Sequence, residues 1–373
     1  MAEFRKITDR PVKAIIFTHG HGDHIGGAGA FMEDDTQLWA RAPFNVEDQQ
    51  FKEAGLHTIY RTRGFRQFGV LVPEDDIKHV GVGARYFPQA DPDAKEAGKP
   101  VSPTHTFWDA ATSLDIAGLK LELVAASGET SDQLFVWFAA ERVVFAGDNF
   151  YKSWPNLYAI RGTAYRDVNA WVNSLTAMLD KKPHHLVGGH TRPIVGETEV
   201  TDVLTNYRDA VKFLFDKTVE GMEKGLSPDE LVGYARLPEK YRDLDYLRPY
   251  YVHPDWGGRS IFTGYLGWFD GNPTNLFPLA PKEKAAQMIA LAGGPAAMQD
   301  TMNEARKAGQ YQWALQLSDY LLQRSPGDWC LLLTRADLLD ARAQPVLNVT
   351  ARNYYRSYAL ELRTRAEAGD SEE

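Results

Sequence analysis

The first half of the chain alternates short apolar runs with stretches rich in glycine, proline and aspartate. Several runs are dominated by β-branched, aromatic and other apolar residues and predict strands, namely VKAIIFTH, LKLELVAA, DQLFVWFA, RVVFAG and HHLVGG. Helical stretches lie between them. Residues 12–199 are therefore typical of a layered domain of sheets and helices.

The later parts of the chain show helical periodicity. Apolar residues between Val200 and Val219 recur at steps of three and four, which predicts a long helix with one buried face. The stretch SPDELVGYARL begins a further helix, with Ser227 as its cap, Pro228 at the first position and Glu230 closing a capping box. From about residue 282 helix formers dominate, and AGQYQWALQLSDYLLQRSPGDWCLLLTRADLLDARA resembles a tetratricopeptide-like hairpin of two helices. One such unit is too short for a solenoid, so it predicts a packing or dimerisation module.

Composition and charge exclude several classes of protein. A chain of 373 residues with 44% apolar and 24% charged residues is a folded protein with room for two or three domains. Its net charge of −9 is spread among interleaved charges without a Lys/Arg run, so we expect no nucleic-acid partner. The most apolar stretch, LFVWFAAERVVFAG, is interrupted by Glu141 and Arg142; it predicts two strands and a tight turn, and no membrane span.

The single cysteine and the N-terminus bear on the compartment. Cys330 excludes an internal disulfide, and its apolar helical surroundings predict a buried thiol. The first residues carry charge but no apolar segment of the signal-peptide kind. As written, the chain is expected in the cytoplasm, whereas a full-length parent could be periplasmic or secreted.

The strongest chemical signal is IIFTHGHGDHIGG, in which three histidines and an aspartate directly follow an apolar run. His19 and His21, two residues apart at a strand end, can point the same way, and Asp23 and His24 can fold back beside them. We predict that His19 and His21 bind one cation and Asp23 and His24 a second, each cation completed by ligands from distant segments. A polar surface loop would not explain the glycines beside the ligands.

This H-x-H-x-D-H pattern resembles that of the metallo-β-lactamase superfamily, whose fold is an αβ/βα sandwich of two sheets covered by helices. The resemblance implies three further ligands, each after a later strand. They are Glu129 in AASGETSDQ, where most of the superfamily has a histidine, Asp148 in VVFAGDN as a carboxylate that bridges both cations, and His190 in HLVGGHTRP. Glu129 would complete the first set and His190 the second, and each cation would keep an open position for water, as a catalytic site requires.

Glu129, NLYAIRGTAYRDV, YLGWFDGNP, QYQWALQLSDYLLQRSP and ARNYYRSYALELR together resemble the alkylsulfatases of that superfamily. The resemblance implies a binuclear metal hydrolase of alkyl sulfate esters that cleaves the C–O bond and forms a homodimer through its helical domain. Zinc fits the mixed ligands best, although manganese or iron would be tolerated. Asp23 and Arg161 are the candidate catalytic residues, with Arg161 also matching the family's sulfate-binding arginine.

Further substrate contacts are less specific. Arg259 and Trp256 lie on the segment that the family folds over the site, and they are candidate substrate-binding residues. Aromatic residues of the same region predict either an alkyl-chain tunnel or ordinary core packing; they are Trp154, Trp256, Tyr265, Trp268 and Phe269.

Departures from the family pattern leave the general acid unidentified and alternative functions open. Asp148 stands where a glutamate is usual, and many members have a histidine at the place of Trp256 and another proton donor at the place of Arg166, so no general acid is identified. We expect an α+β metallo-β-lactamase domain at 1–200 that lacks N-terminal strands, a segment at 201–281 covering the site, and an all-α dimerisation domain at 282–373 with a mobile acidic tail. The family's small sterol-carrier-like C-terminal domain is also missing. The alternatives are a hydrolase of esters, thioesters or phosphodiesters, and a truncated metal-binding protein without catalysis.

Overall fold

The structure, a computed structural model, describes residues 2–77, 79–83 and 101–370. The chain forms two units. The first comprises Met1–Thr58 and Val82–Gly267, and the second comprises Ile59–Gly81 and Trp268–Glu373.

The first unit contains two sheets. Three parallel strands form the smaller sheet in the order β1-β2-β3, with bounds β1 (Ala14–Ile16), β2 (Gln37–Arg41) and β3 (His105–Phe107). The larger sheet has the order β4-β5-β6-β7-β8-β9, with bounds β4 (Ala111–Ile116), β5 (Leu119–Ala125), β6 (Leu134–Phe138), β7 (Val143–Gly147), β8 (His185–Gly188) and β9 (Ile194–Val195). Neighbouring strands of this sheet are antiparallel except β7 and β8. All five predicted strands are confirmed, and β6 and β7 form the predicted pair joined by a tight turn.

Apolar side chains place these sheets in layers. One cluster joins Phe107 of the smaller sheet to Leu114, Leu123 and Leu134 of the larger, with Trp39 packed against it. The largest cluster lies on the other face of the larger sheet. It includes buried residues of two helices, α5 (Val168–Asp180) and α6 (Glu197–Glu223). This arrangement of helices and two sheets confirms the predicted sandwich.

The helices of the first unit also follow the sequence pattern. The predicted long amphipathic helix is α6, which buries Val200, Leu204, Tyr207 and Val211 along one face. The predicted capping box is present at Ser227. The remaining α-helices of this unit among the described residues are α1 (Ala2–Arg5), α2 (Gly22–Ile25), α3 (Val46–Glu53), α7 (Pro228–Tyr234), α8 (Glu239–Arg242) and α9 (Pro254–Leu266).

The second unit is helical in its described part. Its helices are α4 (His57–Phe68), which begins two residues before the unit, α10 (Pro281–Leu291), α11 (Pro295–Lys307), α12 (Tyr311–Arg324), α13 (Trp329–Ala343) and α14 (Val349–Asp370). The predicted hairpin is formed by α12 and α13. Arg66 of α4 donates two hydrogen bonds, of 2.8 and 2.6 Å, to the carboxylate of Glu361 on α14.

Some expectations differ from the structure. The boundary between the units lies after Gly267 rather than at residue 282, and Ile59–Gly81 belongs with the C-terminal helices. The prediction of a buried thiol at Cys330 is wrong: it is exposed in the first turn of α13, whose inward face is formed by Leu331 and Leu332. Helix α14 extends to Asp370, and residues 371–373 of the acidic tail lie outside the described residues. Among the described helices, none combines the length and the uninterrupted apolar sequence needed to cross a bilayer.

Candidate metal centre

Four candidate ligands lie between the end of β1 and the end of α2. His19 follows β1 by three residues, His21 occupies the N-cap position of α2, and Asp23 and His24 lie within α2. Glycine is required next to His19, because a Cβ atom at Gly20 would lie 2.9 Å from Asn45. A Cβ atom at Gly22 would meet open space, so the argument from tight turns does not extend to this glycine.

The other candidate ligands follow strands of the larger sheet. Strands β5, β7 and β8 run in the same direction, so Glu129, Asp148 and His190 after them lie at one edge of the sheet. Gly147 turns the chain after β7 with φ +54°, a conformation that favours glycine. The backbone N–H of Leu134 donates to the carbonyl of Thr18 at 2.8 Å, which brings the loop after β1 to the same edge.

All seven predicted ligands come together at this edge. Three sets have ligand atoms within 4.8 Å of one another: His19, His24 and Asp148; Asp23, His24 and His190; His21, Glu129 and Asp148. Asp23, His24 and His190 are the group predicted for the second cation, whereas His19, His21 and Glu129, predicted for the first, are divided between the other two sets. Asp148 and His24 each belong to two of the three sets. Of these two side chains, only the carboxylate of Asp148 has two oxygens with which to bridge cations.

Individual distances define the arrangement of the second set. Asp148 places Oδ1 3.3 Å from Nε2 of His24 and Oδ2 3.3 Å from Nε2 of His190. Oδ2 of Asp23 lies 3.4 Å from both imidazole nitrogens. Two ligand atoms that share one tetrahedral Zn²⁺ at about 2.1 Å lie about 3.4 Å apart, so these spacings fit a cation.

The group predicted for the first cation, His19, His21 and Glu129, is more buried than the group predicted for the second. Nε2 of His19 lies 3.0 Å from Nδ1 of His21, and that nitrogen lies 3.5 Å from Oε1 of Glu129. Oγ1 of Thr18 lies 3.1 Å from the other ring nitrogen of His19 and fixes the orientation of the ring.

The two sets differ in electrostatics. Burial lowers the pKa of His19 to about 3 and that of His21 well below its usual value, so both are neutral ligands. Burial would also lower the pKa of the other two histidines, but Asp148 and Asp23 outweigh it. They raise the pKa of His24 to about 10 and that of His190 to about 9.

The donor set therefore fits divalent cations. Nε2 of His24 and Oδ1 of Asp148 are buried at the centre of the cluster, 3.3 Å from each other, but neither makes a hydrogen bond of good geometry among the described residues. Buried polar atoms without a partner are costly, and a cation would satisfy both. Imidazoles, once their acidic proton is displaced, and carboxylates are also the ligands expected for Zn²⁺, Mn²⁺ or Fe²⁺.

Glu129 is held by residues that the sequence motifs did not identify. Its backbone N–H donates to Oδ1 of Asn149 at 3.0 Å, and its carboxylate lies 2.6 Å from the guanidinium of Arg166. Burial raises the pKa of Glu129 to about 7 although the charge of Arg166 opposes the shift. The only sequence signal for Arg166 was its place where the family has a proton donor; nothing indicated its pairing.

Predicted substrate contacts have different positions. Burial is the main cause of the pKa shifts of His21, Glu129 and Tyr251, and the charge of Arg161 is a further cause of each, so Arg161 lies within electrostatic reach of the cluster. Arg259 instead forms an ion pair with Asp229 on the surface, and no other contact of its side chain is seen in the described part of the chain.

The aromatic residues predicted to line the site also differ in their positions. Trp256 is half-buried and packs against the largest apolar cluster, to which the fully buried Trp154 also belongs. Trp154 is therefore a core residue. Tyr251, which the motifs did not identify, lies close to Tyr151, with ring centroids 6.3 Å apart.

Comparison with known proteins gives consistent matches. A family model described as the metallo-beta-lactamase superfamily matches residues 1–190, and one described as alkyl sulfatase dimerisation matches residues 227–365. A linear primary-alkylsulfatase from a Pseudomonas strain is 34% identical over 98% of this chain and 70% of its own length. An (R)-specific secondary-alkylsulfatase from Pseudomonas sp. is 29% identical over 99% of this chain and 56% of its own length.

A solved structure agrees over most of the chain. The stereoselective inverting sec-alkylsulfatase Pisa1 from Pseudomonas sp. superposes with a TM-score of 0.85 at 26% identity. The match covers 97% of this chain and 58% of that one. This chain therefore spans a little over half the length of that protein.

Proposed function

Because the chain belongs to the alkylsulfatase family of the metallo-β-lactamase superfamily, we propose that it hydrolyses alkyl sulfate esters to an alcohol and inorganic sulfate. The family expected from the sequence motifs is thereby confirmed. The observation that carries the proposal is the cluster of seven ligands, in which Asp148 lies 3.3 Å from both His24 and His190 and also shares a three-ligand set with His21 and Glu129.

Two divalent cations, in our proposal zinc, would be held by His19, His21 and Glu129 and by Asp23, His24 and His190, with Asp148 between them. The bound cations would supply Lewis acidity and lower the pKa of a water molecule in the site. Asp23 is the least buried of the carboxylates in the cluster, with a side chain 61% exposed, so it lies where that water would enter. Asp23 therefore orients the water as well as binding a cation.

Arg161 is assigned to the sulfate. An alkyl sulfate carries a permanent negative charge, and a guanidinium can hold two of its oxygens with parallel hydrogen bonds. Arg161 is half-buried and within electrostatic reach of His21 and Glu129, so its charge lies beside the first ligand set. Its charge stabilises the negative charge that develops on the leaving sulfate.

The reaction is tested with metal-free protein reloaded with Zn²⁺, Mn²⁺ or Fe²⁺. We expect the loaded protein to bind two cations per chain and to release sulfate from dodecyl sulfate, whereas Asp148→Asn should lose both properties. Asp115→Asn, an exposed change on β4, is the matched control. Cation binding without sulfate release, or turnover of a carboxylic ester, thioester or phosphodiester instead, would contradict the proposal.

We further propose that the C–O bond breaks. Sulfate is a weak base and departs without a proton, so water can attack the carbon in a site that lacks an identified general acid. Hydrolysis in oxygen-18 water should then place the label in the alcohol and invert a secondary substrate at its carbon. Label in the sulfate would contradict C–O cleavage but not the cation sites.

A further inference from the structure

We propose that Arg166 is a positioning residue that fixes Glu129 as a ligand offering one oxygen to the cation. This inference rests on the proposed function, because it concerns one of the two proposed cation sites. The side chains of Arg166 and Glu129 are 1% and 3% exposed, so protein groups rather than water surround both charges. Nη1 of Arg166 lies 2.6 Å from Oε2 of Glu129.

The two oxygens of Glu129 face different partners. Oε2 lies against the guanidinium of Arg166, whereas Oε1 lies 3.5 Å from Nδ1 of His21, which is another predicted ligand. Oε1 is therefore the oxygen directed into the cluster. If the carboxylate rotated, both oxygens would compete for the cation and the ion pair with Arg166 would be lost.

Asn156 locks this arrangement. Its backbone carbonyl accepts a hydrogen bond of 2.5 Å from Nη1 of Arg166, and its side-chain Nδ2 donates to Oε1 of Glu129 at 3.1 Å. Nε of Arg166 donates to Oγ1 of Thr163 at 3.3 Å. The guanidinium thus donates two hydrogen bonds, from Nη1 and Nε, and Nη1 also forms the ion pair with Glu129. The planar fork of arginine presents these two nitrogens in a fixed geometry that the single ammonium of lysine does not reproduce.

The same contacts exclude Arg166 from proton donation. A guanidinium stays protonated throughout the accessible pH range, and this one is buried and engaged by protein acceptors. The residue that stands at the position of a family proton donor therefore acts through Glu129 and not on the substrate.

The test measures cation binding, which is independent of turnover. Metal-free protein is dialysed against increasing free Co²⁺, bound metal is counted by mass spectrometry, and the visible spectrum reports ligand geometry. In Arg166→Met we expect one of the two cations to bind about 10- to 100-fold more weakly and its spectrum to change, as is typical when a residue orienting a ligand is removed. The second cation, which the set with His190 binds, should be unaffected.

Matched variants separate positioning from folding. Arg142→Met removes an exposed ion pair with Glu197 in the same unit and should bind both cations normally. In a Glu129→Gln background, Arg166→Met should have no further effect on either cation, because its partner is already lost. Should Arg166→Met fail to fold, Arg166→Lys decides the point. Lysine keeps the charge but cannot donate from two fixed nitrogens, so this variant should weaken binding of the same cation.

The outcomes are distinct. If folded Arg166→Met or Arg166→Lys binds both cations as the unmodified protein does, the inference is overturned while the proposed function stands. The same holds if Arg166→Met weakens cation binding in the Glu129→Gln background as much as it does in the unmodified protein. If the unmodified protein binds no Co²⁺, the proposed function itself fails. Sulfate release is measured separately and does not enter the decision.

Discussion

At the scale of single residues, Arg161 carries the charge assigned to the departing sulfate. Replacing it by alanine should cost about 2–4 kcal/mol of transition-state stabilisation, the size expected when one charged contact to a developing anion is removed. The measurement is kcat/KM for sulfate release with both cations bound. Arg236→Ala, an exposed change in the same unit, should leave kcat/KM unchanged. Normal activity in Arg161→Ala would refute the assignment to the leaving group.

The histidines of the second ligand set give a prediction on pH. In the metal-free protein His24 has a pKa of about 10 and His190 of about 9, because nearby Asp148 and Asp23 stabilise the protonated rings. A cation must displace these protons, so its apparent affinity should rise with pH through about 9 to 10 and binding should release protons. Calorimetry in buffers of different ionisation enthalpy measures the release, and an affinity independent of pH would contradict the prediction.

The same shifts affect the stability of the metal-free protein. Both pKa values lie above the value of about 6.5 for unfolded histidine. Their contribution to the free energy of unfolding is therefore fully present below pH 6.5 or so and is lost as pH rises through about 9 to 10.

The residues of the cluster could largely be predicted from the sequence because each follows a predicted strand. His19, Asp148 and His190 stand within a few residues of strand ends, and strands that run in one direction end at one edge. The contact between Arg166 and Glu129 joins positions 37 residues apart (166 − 129), within no local pattern, so only the folded chain reveals it. The ion pair of Arg259 with Asp229, 30 residues away, could not be predicted from the sequence for the same reason.

At the scale of single elements, Asp167 follows Arg166 and is the N-cap residue of α5. Its side chain accepts a hydrogen bond of 3.0 Å from the backbone N–H of Ala170, as expected for an N-terminal cap. Asp167→Ala should lower the free energy of unfolding by about 1 kcal/mol, whereas Asp167→Ser should retain most of it. Chemical denaturation of the three proteins measures the difference. Equal stability of all three would contradict a capping role.

Helices with strong apolar periodicity could be predicted from the sequence, but the burial of their individual side chains was harder to predict. The apolar steps from Val200 to Val219 define both α6 and its buried face. The pattern around Cys330 also defined a helix, but three successive apolar neighbours do not reveal which of them faces inward. The structure turns Leu331 and Leu332 to the core and leaves Cys330 outside.

At the scale of the whole molecule, the match to an alkyl sulfatase dimerisation model supports a proposed homodimer. We expect light scattering after size exclusion to give twice the mass of one chain at micromolar concentration. The expectation has a physical basis, since large side chains of this region are exposed, including Trp268 and Phe277, and a second copy would bury them. A monomeric mass would contradict it.

The division into units could not be predicted from local sequence. Ile59–Gly81 joins the C-terminal helices through contacts such as Arg66 with Glu361, which are 295 residues apart. The helical pattern placed the start of the C-terminal domain at about residue 282, whereas the second unit resumes at Trp268.

The ligands of the cluster are divided between the two sheets of the first unit. His19, His21, Asp23 and His24 follow the smaller sheet, whereas Glu129, Asp148 and His190 follow strands of the larger. Bound cations would therefore crosslink the two sheets. Removing them with a chelator should lower the thermal unfolding midpoint by several degrees, as expected for a ligand that binds only the folded state. Calorimetry with and without the chelator measures this shift, and an unchanged midpoint would contradict it. A shortage of metal would therefore weaken the contact between the two sheets at the same time as it removed the proposed chemistry.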